Sequence, residues 1–254
     1  MRVLPVGYKE IFTARGGDYN RAMRLCPGAR ETERRLLIDL LELNPGNVVC
    51  DVPAGGGYVA EGIEALGRNA AVVCVEPAAP FARGIAARFP RVVSTLDRIA
   101  LQDDSVDRVA SLAGLHHLDS KAAFAAEAER ILRPGGRIAV ADVSAGSDVA
   151  RFLNGSVDRL SVTGHAGEFL ARGELAALLT AAGYRDVVER EQHCQWVFPD
   201  FEVLLVFFRE LFGLAGRSDR DVRAAVTGDL DVDVTADAVR VSWSLAYAAG
   251  SKPA

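Results

Sequence analysis

Short apolar runs alternate along this chain with longer stretches in which apolar side chains return every three or four positions, the two periods that separate strands from helices. Val48 to Cys50, Ala71 to Val75, Val92-Val93, Val106 to Ala110 and Ile138 to Val140 read as strands. Leu36, Leu37, Leu40, Leu41 and Leu43 after Pro27 read as a helix, as do Phe81 to Phe89, Lys121 to Leu132 and Arg172 to Ala182. Pro45-Gly46 and Gly183 stop two of these helices, because proline lacks the amide a helix needs and glycine takes the turn that follows one. Strands alternating with helices lie parallel with both sheet faces covered, which predicts an α/β chain whose first helices cap the sheet.

The carboxy-terminal part departs from that alternation. Val187 to Phe198 and Val239 to Tyr247 read as two more strands, the second alternating Val239, Val241, Trp243, Leu245 and Tyr247 against small or polar neighbours. About forty residues lie between them, too many for a plain hairpin. There Phe201, Leu204, Leu205, Phe208 and Leu211-Phe212 recur at helical spacing, so at least one amphipathic helix is inserted. It reads as a helix packed on the core, a contact in a homodimer, or a lid over an apolar substrate. The whole is expected to be one domain over 1–254, with a helical cap at 1–45, a core at 46–198, an insertion at 199–238 and a last strand and tail at 239–254.

The chemistry starts at Val48-Val49-Cys50-Asp51-Val52-Pro53-Ala54-Gly55-Gly56-Gly57-Tyr58, where an apolar strand ends in an acid and three glycines just before a helical pattern. Glycine lets backbone approach a ligand closely, and the following helix points free N–H groups at whatever lies across its start. The next strand ends in Glu76, about twenty residues beyond the last glycine, the distance at which an acid accepts from both ribose hydroxyls. Two strand-end acids and a glycine loop thus bracket a nucleoside. The dinucleotide fingerprint GxGxxG is absent.

Instead, the loop resembles motif I, (D/E)xGxGxG, of the class I S-adenosylmethionine-dependent methyltransferases. The resemblance runs from about Tyr19 to about Val188. Asp103 to Ser111 is similar to that family's acidic turn and fourth strand, Gly114-Leu115-His116-His117-Leu118 to its "lHHl" segment, and Ile131 to Val140 to its "LRPGG" turn into strand five. It implies a doubly wound, Rossmann-like, seven-stranded sheet, mostly parallel with an antiparallel last strand. It also implies S-adenosylmethionine as cofactor, S-adenosylhomocysteine as product, and cofactor contacts from Tyr19, Asp51, Pro53, Ala54, Gly55 and Gly57. Glu76, Pro77, Thr95, Leu96 and Ser111 complete the implied set. Two positions depart from the pattern. Pro53 stands where the loop has its first glycine, and Thr95, with Asp97 two residues on, stands where many relatives carry an adenine-binding Asp.

Composition narrows the partners. A chain of 254 residues, half of them apolar, can bury a sizeable core, and a net charge of −5 argues against nucleic acid, whose binding draws on clustered Lys and Arg. Glu31 and Glu33 interrupt the arginines of 30–35, so that run reads as a solvated helix face. Cys26, Cys50, Cys74 and Cys194 show no CxxC spacing, and no apolar run approaches a membrane span. With Arg2 and Pro5 too early for a signal-peptide core, a cytoplasmic, membrane-free protein is expected.

Methyl transfer from a sulfonium asks the protein for in-line positioning, exclusion of water and, where the acceptor carries a proton, a base. Ligands lie beyond the carboxyl ends of parallel strands, which singles out His116, His117, Asp142 and His165. Tyr19 and Arg24 resemble a segment that many small-molecule methyltransferases fold over the cofactor. No histidine and carboxylate set has ligand spacing, so no metal is expected. The implied activity is methylation of oxygen or activated carbon on a small organic molecule, in natural-product or other specialised metabolism. The alternatives are a non-methylating reaction in the same pocket (cyclisation, decarboxylation or hydrolysis) and a non-catalytic scaffold.

Overall fold

The computed structural model describes residues 7–254. Arg2 and Pro5 lie outside the described residues. Eight strands form one sheet: β1 (Val48–Asp51), β2 (Ala71–Val75), β3 (Arg91–Val92), β4 (Val106–Leu112), β5 (Leu132–Asp142), β6 (Arg185–Phe198), β7 (Val232–Val234) and β8 (Val239–Ser251). Their order is β3-β2-β1-β4-β5-β8-β6, with β7 also on β8. β1 to β5 are parallel, and β8 runs antiparallel to β5 and β6. Seven strands make up the expected Rossmann-like sheet. The eighth, β7, lies inside the insertion and pairs Val232 with Val241 where β8 extends beyond the end of β5, which gives backbone partners to an otherwise free edge.

The helices are α1 (Tyr8–Leu25), α2 (Glu31–Leu40), α3 (Tyr58–Ala65), α4 (Ala79–Ala82), α5 (Lys121–Ile131), α6 (Asp148–Arg151), α7 (Asp158–Leu160), α8 (Glu174–Ala181), α9 (Phe201–Leu211) and α10 (Asp219–Asp229). A π-helical stretch, Phe152–Val157, joins α6 to α7. The helix expected over 81–89 shrinks to α4. Gly84 breaks it, and a Cβ there would lie 2.4 Å from Asn20 Nδ2, so the chain turns where α1 packs against it. Among the described residues no helix is long and apolar enough to cross a membrane.

Period-two alternation divides the core. Val49, Val72, Cys74 and Ala110 face one side with α2, α3 and the insertion; Cys50, Val52, Val75 and Val109 face the other with α5 and α8. Asp200 caps α9 by accepting from Val203 N–H at 2.8 Å, and Leu204, Leu205, Phe207, Phe208 and Leu211 bury that helix against the core and α1. The insertion is therefore packed on the domain. In register, Asp51 stands level with Cys74 and Ala110, so β1, β2 and β4 end together where strand order reverses. Such a crevice is where open α/β sheets bind their ligands.

Candidate active site

β1 delivers Asp51 and then the loop. Gly55 at φ +54° and Gly57 at φ +91° occupy left-handed backbone, and a Cβ on Gly55 would lie 2.7 Å from Phe81 Cζ. Glu76, fully buried at the end of β2, accepts from Ala78 N–H with one oxygen and from Gly55 N–H and the Tyr8 hydroxyl with the other, each at 2.8 Å. Burial pushes its carboxyl up to about 7 and that of Asp51 up to about 8. Asp51 accepts from Ala60 N–H at 3.2 Å, while its other oxygen and the Tyr58 and Ser111 hydroxyls have no partner among the described residues. The buried orphans at Asp51 and Tyr58, on either side of the glycine loop, fit a ligand that brings hydrogen-bond donors and positive charge.

α1 lies across this cleft. Phe12 stacks on Phe81 at 4.9 Å, Tyr19 meets Phe81 edge-on at 5.0 Å, and Asn20 donates to the Phe81 carbonyl at 3.0 Å. Pro53, Ala54 and Gly55 border a hollow with Tyr8, Phe12 and Tyr19, and Pro77, Thr95 and Leu96 border the adjoining one with Tyr8, Asp97 and His117. Arg24 is exposed and borders a further hollow with Tyr19, Gly56 and Tyr58. Ser111 is buried within β4 and borders neither hollow.

Beyond the cleft, the turn Leu115–His117 after β4 meets the end of β5. Asp142 accepts from His116 Nδ1 and Val143 N–H at 2.6 Å with one oxygen, and from Leu115 N–H at 2.6 Å and His116 N–H at 3.2 Å with the other. Each oxygen thus accepts two hydrogen bonds, and Asp142 ties the His116 ring to the turn. Asn154, on the π-helical stretch, accepts from His165 Nδ1 at 2.8 Å and from Gly167 N–H at 3.0 Å, and its amide donates back to the Gly167 carbonyl. This closed set makes His165 Nδ1 the donor and leaves Nε2 with its lone pair. The bonds that tie His116 and His165 have no counterpart at the His117 ring among the described residues.

All three imidazoles converge, with ring nitrogens within 4.8 Å of one another. Sequence spacing hid this cluster, because His165 comes from a distant loop. Small ring rotations would let them share an ion, but Arg15 borders the same cavity and a guanidinium opposes a dication there. Burial, then the neighbouring imidazoles and Arg15, hold His117 well below the usual histidine range and His165 at about 2. The remaining walls include Phe12, Tyr19, Trp196, Phe212 and Trp243.

Between cleft and cavity stands a buried network. Arg30 and Glu33, 3% and 0% exposed, form an ion pair; Arg30 also donates to the Tyr19 hydroxyl, and Trp196 Nε1–H donates to Glu33 at 2.6 Å. The solvated face expected of residues 30–35 is thus corrected: Arg35 and Glu31 are exposed, while Arg30 and Glu33 turn inward on the stripe that also buries Leu37.

A model of the methyltransferase domain matches residues 50–140, from β1 into β5. Demethylmenaquinone methyltransferase of Mycolicibacterium vanbaalenii is 28% identical over 173 residues, 61% of this chain and 75% of that protein. Methyltransferase GfsG of Streptomyces halstedii is 31% identical over 124 residues, 46% of this chain and 44% of its own. A SAM-dependent methyltransferase of Thermotoga maritima, 18% identical, shares the fold with a TM-score of 0.66 over 96% of this chain and 99% of its own. Residues 50–140 thus match a methyltransferase domain, and the chain has the fold of an S-adenosylmethionine-dependent methyltransferase.

In this methyltransferase the glycine loop and the orphaned atoms at Asp51 and Tyr58 suit the family's cofactor, which carries an ammonium and a sulfonium. Tyr8, Phe12, Phe81, Arg15 and Arg30 border the site without having been singled out by any sequence motif. Their signal was periodic. Tyr8, Ile11, Phe12 and Arg15 fall on one buried stripe of α1, and an arginine on an apolar stripe is the anomaly that marks it.

Proposed function

We propose that this methyltransferase moves a methyl group from S-adenosylmethionine to an oxygen or activated carbon of a small organic molecule in specialised metabolism. One observation carries the reading: the glycine-loop cleft and the histidine-bearing aromatic cavity abut across the shared side chains of Phe12, Tyr19, Arg30 and Ala113. Bound cofactor supplies an electrophilic methyl group on a sulfonium. Gly55 and Gly57 admit its backbone-hugging part, Glu76 accepts from ribose hydroxyls once the Tyr8 hydroxyl gives way, and Asp51 faces its positive end. Pro77, Thr95 and Leu96 flank the base.

On the acceptor side, His117 borders both the cleft and the cavity and takes the acceptor's proton. His116, held by Asp142, and His165, held by Asn154, keep it in place, while the aromatic walls exclude water and set the acceptor in line. The names of the two curated relatives, a demethylmenaquinone methyltransferase and GfsG from a Streptomyces, support a small organic acceptor.

The test is incubation with S-adenosylmethionine and a panel of phenols, enols and carboxylic acids, read by mass spectrometry. Methylated product and S-adenosylhomocysteine should appear in equal amounts. An altered acceptor without S-adenosylhomocysteine would instead mean cyclisation, decarboxylation or hydrolysis, and no cofactor binding by calorimetry would leave only the scaffold.

A further inference from the structure

We propose that the histidine-bearing cavity holds its acceptor through an acidic oxygen, a phenolate, enolate or carboxylate set against the guanidinium of Arg15. This rests on the reading of that cavity as the acceptor site. Arg15 is 6% exposed, and among the described residues its Nε and Nη1 are shielded from solvent without any hydrogen-bond partner. Its guanidinium carbon lies 5.1 Å from the Phe12 ring. The other charges at the cavity are matched: Arg30 by Glu33, and Asp142 by the His116 ring and three backbone amides. His117 and His165 bring no negative charge. Among the described residues the cavity therefore carries one uncompensated cation and no free carboxylate.

An unpaired guanidinium in a buried site is costly, and its planar fork is shaped for a carboxylate or a conjugated oxyanion. The same burial holds Arg15 at about 10, still charged at neutral pH. Trp196 stacked on Trp243 at 3.9 Å offers a flat wall, which suits an unsaturated acceptor framework. For a phenol or enol, the O–H bond breaks, its electron pair stays on the oxygen facing Arg15, and the proton passes to the neutral His117 imidazole and from there to water. A carboxylic acid arrives already ionised. Arg15 lowers the cost of the anion, so that a weakly basic imidazole suffices.

The experiment uses the full chain without cofactor, with benzoate and benzamide as probes and quenching of Trp196 and Trp243 fluorescence as readout. Wild type should prefer benzoate by about tenfold or more, the range of a charge-assisted hydrogen bond. Arg15→Met should abolish the preference and raise the melting temperature, since it removes a buried charge; Arg15→Lys should retain part of the preference. Failure of benzoate to bind with any preference over benzamide overturns the proposal. So does an Arg15→Met protein that melts lower with the preference intact, because Arg15 would then be a packing residue. Calorimetry with S-adenosylhomocysteine on the same samples tests the methyltransferase reading separately: its failure there leaves the anion result to stand or fall alone.

Discussion

The cleft and the cavity are built in opposite ways. In the cleft, Asp51, the glycines and Glu76 follow one another on adjacent strand ends, and backbone amides of nearby residues hold the key carboxylate. The cavity draws on α1, the turn after β4, the π-helical stretch, α9, β6 and β8, and side chains from one element hold those of another. Trp196 and the Glu33 it donates to lie 163 positions apart. A cleft made by strand ends follows from the fold itself, whereas a cavity made by convergence is particular to the chain.

Substitutions that separate the halves test this directly. The largest effect is expected at His117: replacement by Ala should lower single-turnover rate by about 10²- to 10⁴-fold, the span of general-base catalysis, while S-adenosylhomocysteine affinity stays within about twofold. An unchanged rate would leave proximity alone to drive the reaction. Next, Trp196→Ala strips packing from Phe207, Phe208, Phe212 and Trp243 and removes a donor from buried Glu33. It should cost about 3–5 kcal/mol in chemical denaturation. Because Arg30 and Tyr19 lean on the same network, this one change should weaken both halves; loss confined to the cavity would show that the network is no shared wall.

This contrast also explains what could be read from the chain alone. The alternation of strands and helices and the Asp51 to Tyr58 loop revealed the fold and half the site, because consecutive residues carried them. The rest depends on long-range packing. His165 was named from its place after strand five, but its approach to His116 and His117 is set by Asn154, and Glu33 looks like part of a charged surface run until Trp196 reaches it. The helix expected at 81–89 failed for a similar reason: Gly84 serves a contact with α1 that no local pattern records. Arg15 was legible in principle, but only by weighing a charge against the apolar stripe around it.

A third test addresses the cleft. Glu76→Ala removes the acceptor of Gly55 N–H and of the Tyr8 hydroxyl, and should weaken S-adenosylhomocysteine by about 1.5–3 kcal/mol, the worth of hydrogen bonds to a charged group. Its calorimetric affinity is the readout. Intact affinity would mean that the ribose does not use Glu76, and the cleft would lose its defining acid.

The smallest effect separates the halves by pH. Burial moves Asp51 from 3.8 to about 8 and Glu76 from 4.5 to about 7, so between about pH 4 and 8 the folded chain keeps protons that the unfolded chain has released. Stability without cofactor should therefore fall as pH rises through that window, and level off below it, where both states are protonated. Cationic cofactor favours the ionised carboxyls, so S-adenosylmethionine should bind about tenfold tighter at pH 8 than at pH 6, with protons released to the buffer. Calorimetry in buffers of different ionisation enthalpy measures both quantities. In the cavity, burial holds His165 at about 2, below this window, and lowers His117 well below the usual histidine range, which favours its neutral form. Affinity that is flat with pH and without proton release would place neither acid against the cofactor's charge, and the cavity would then be the better-defined half of the site.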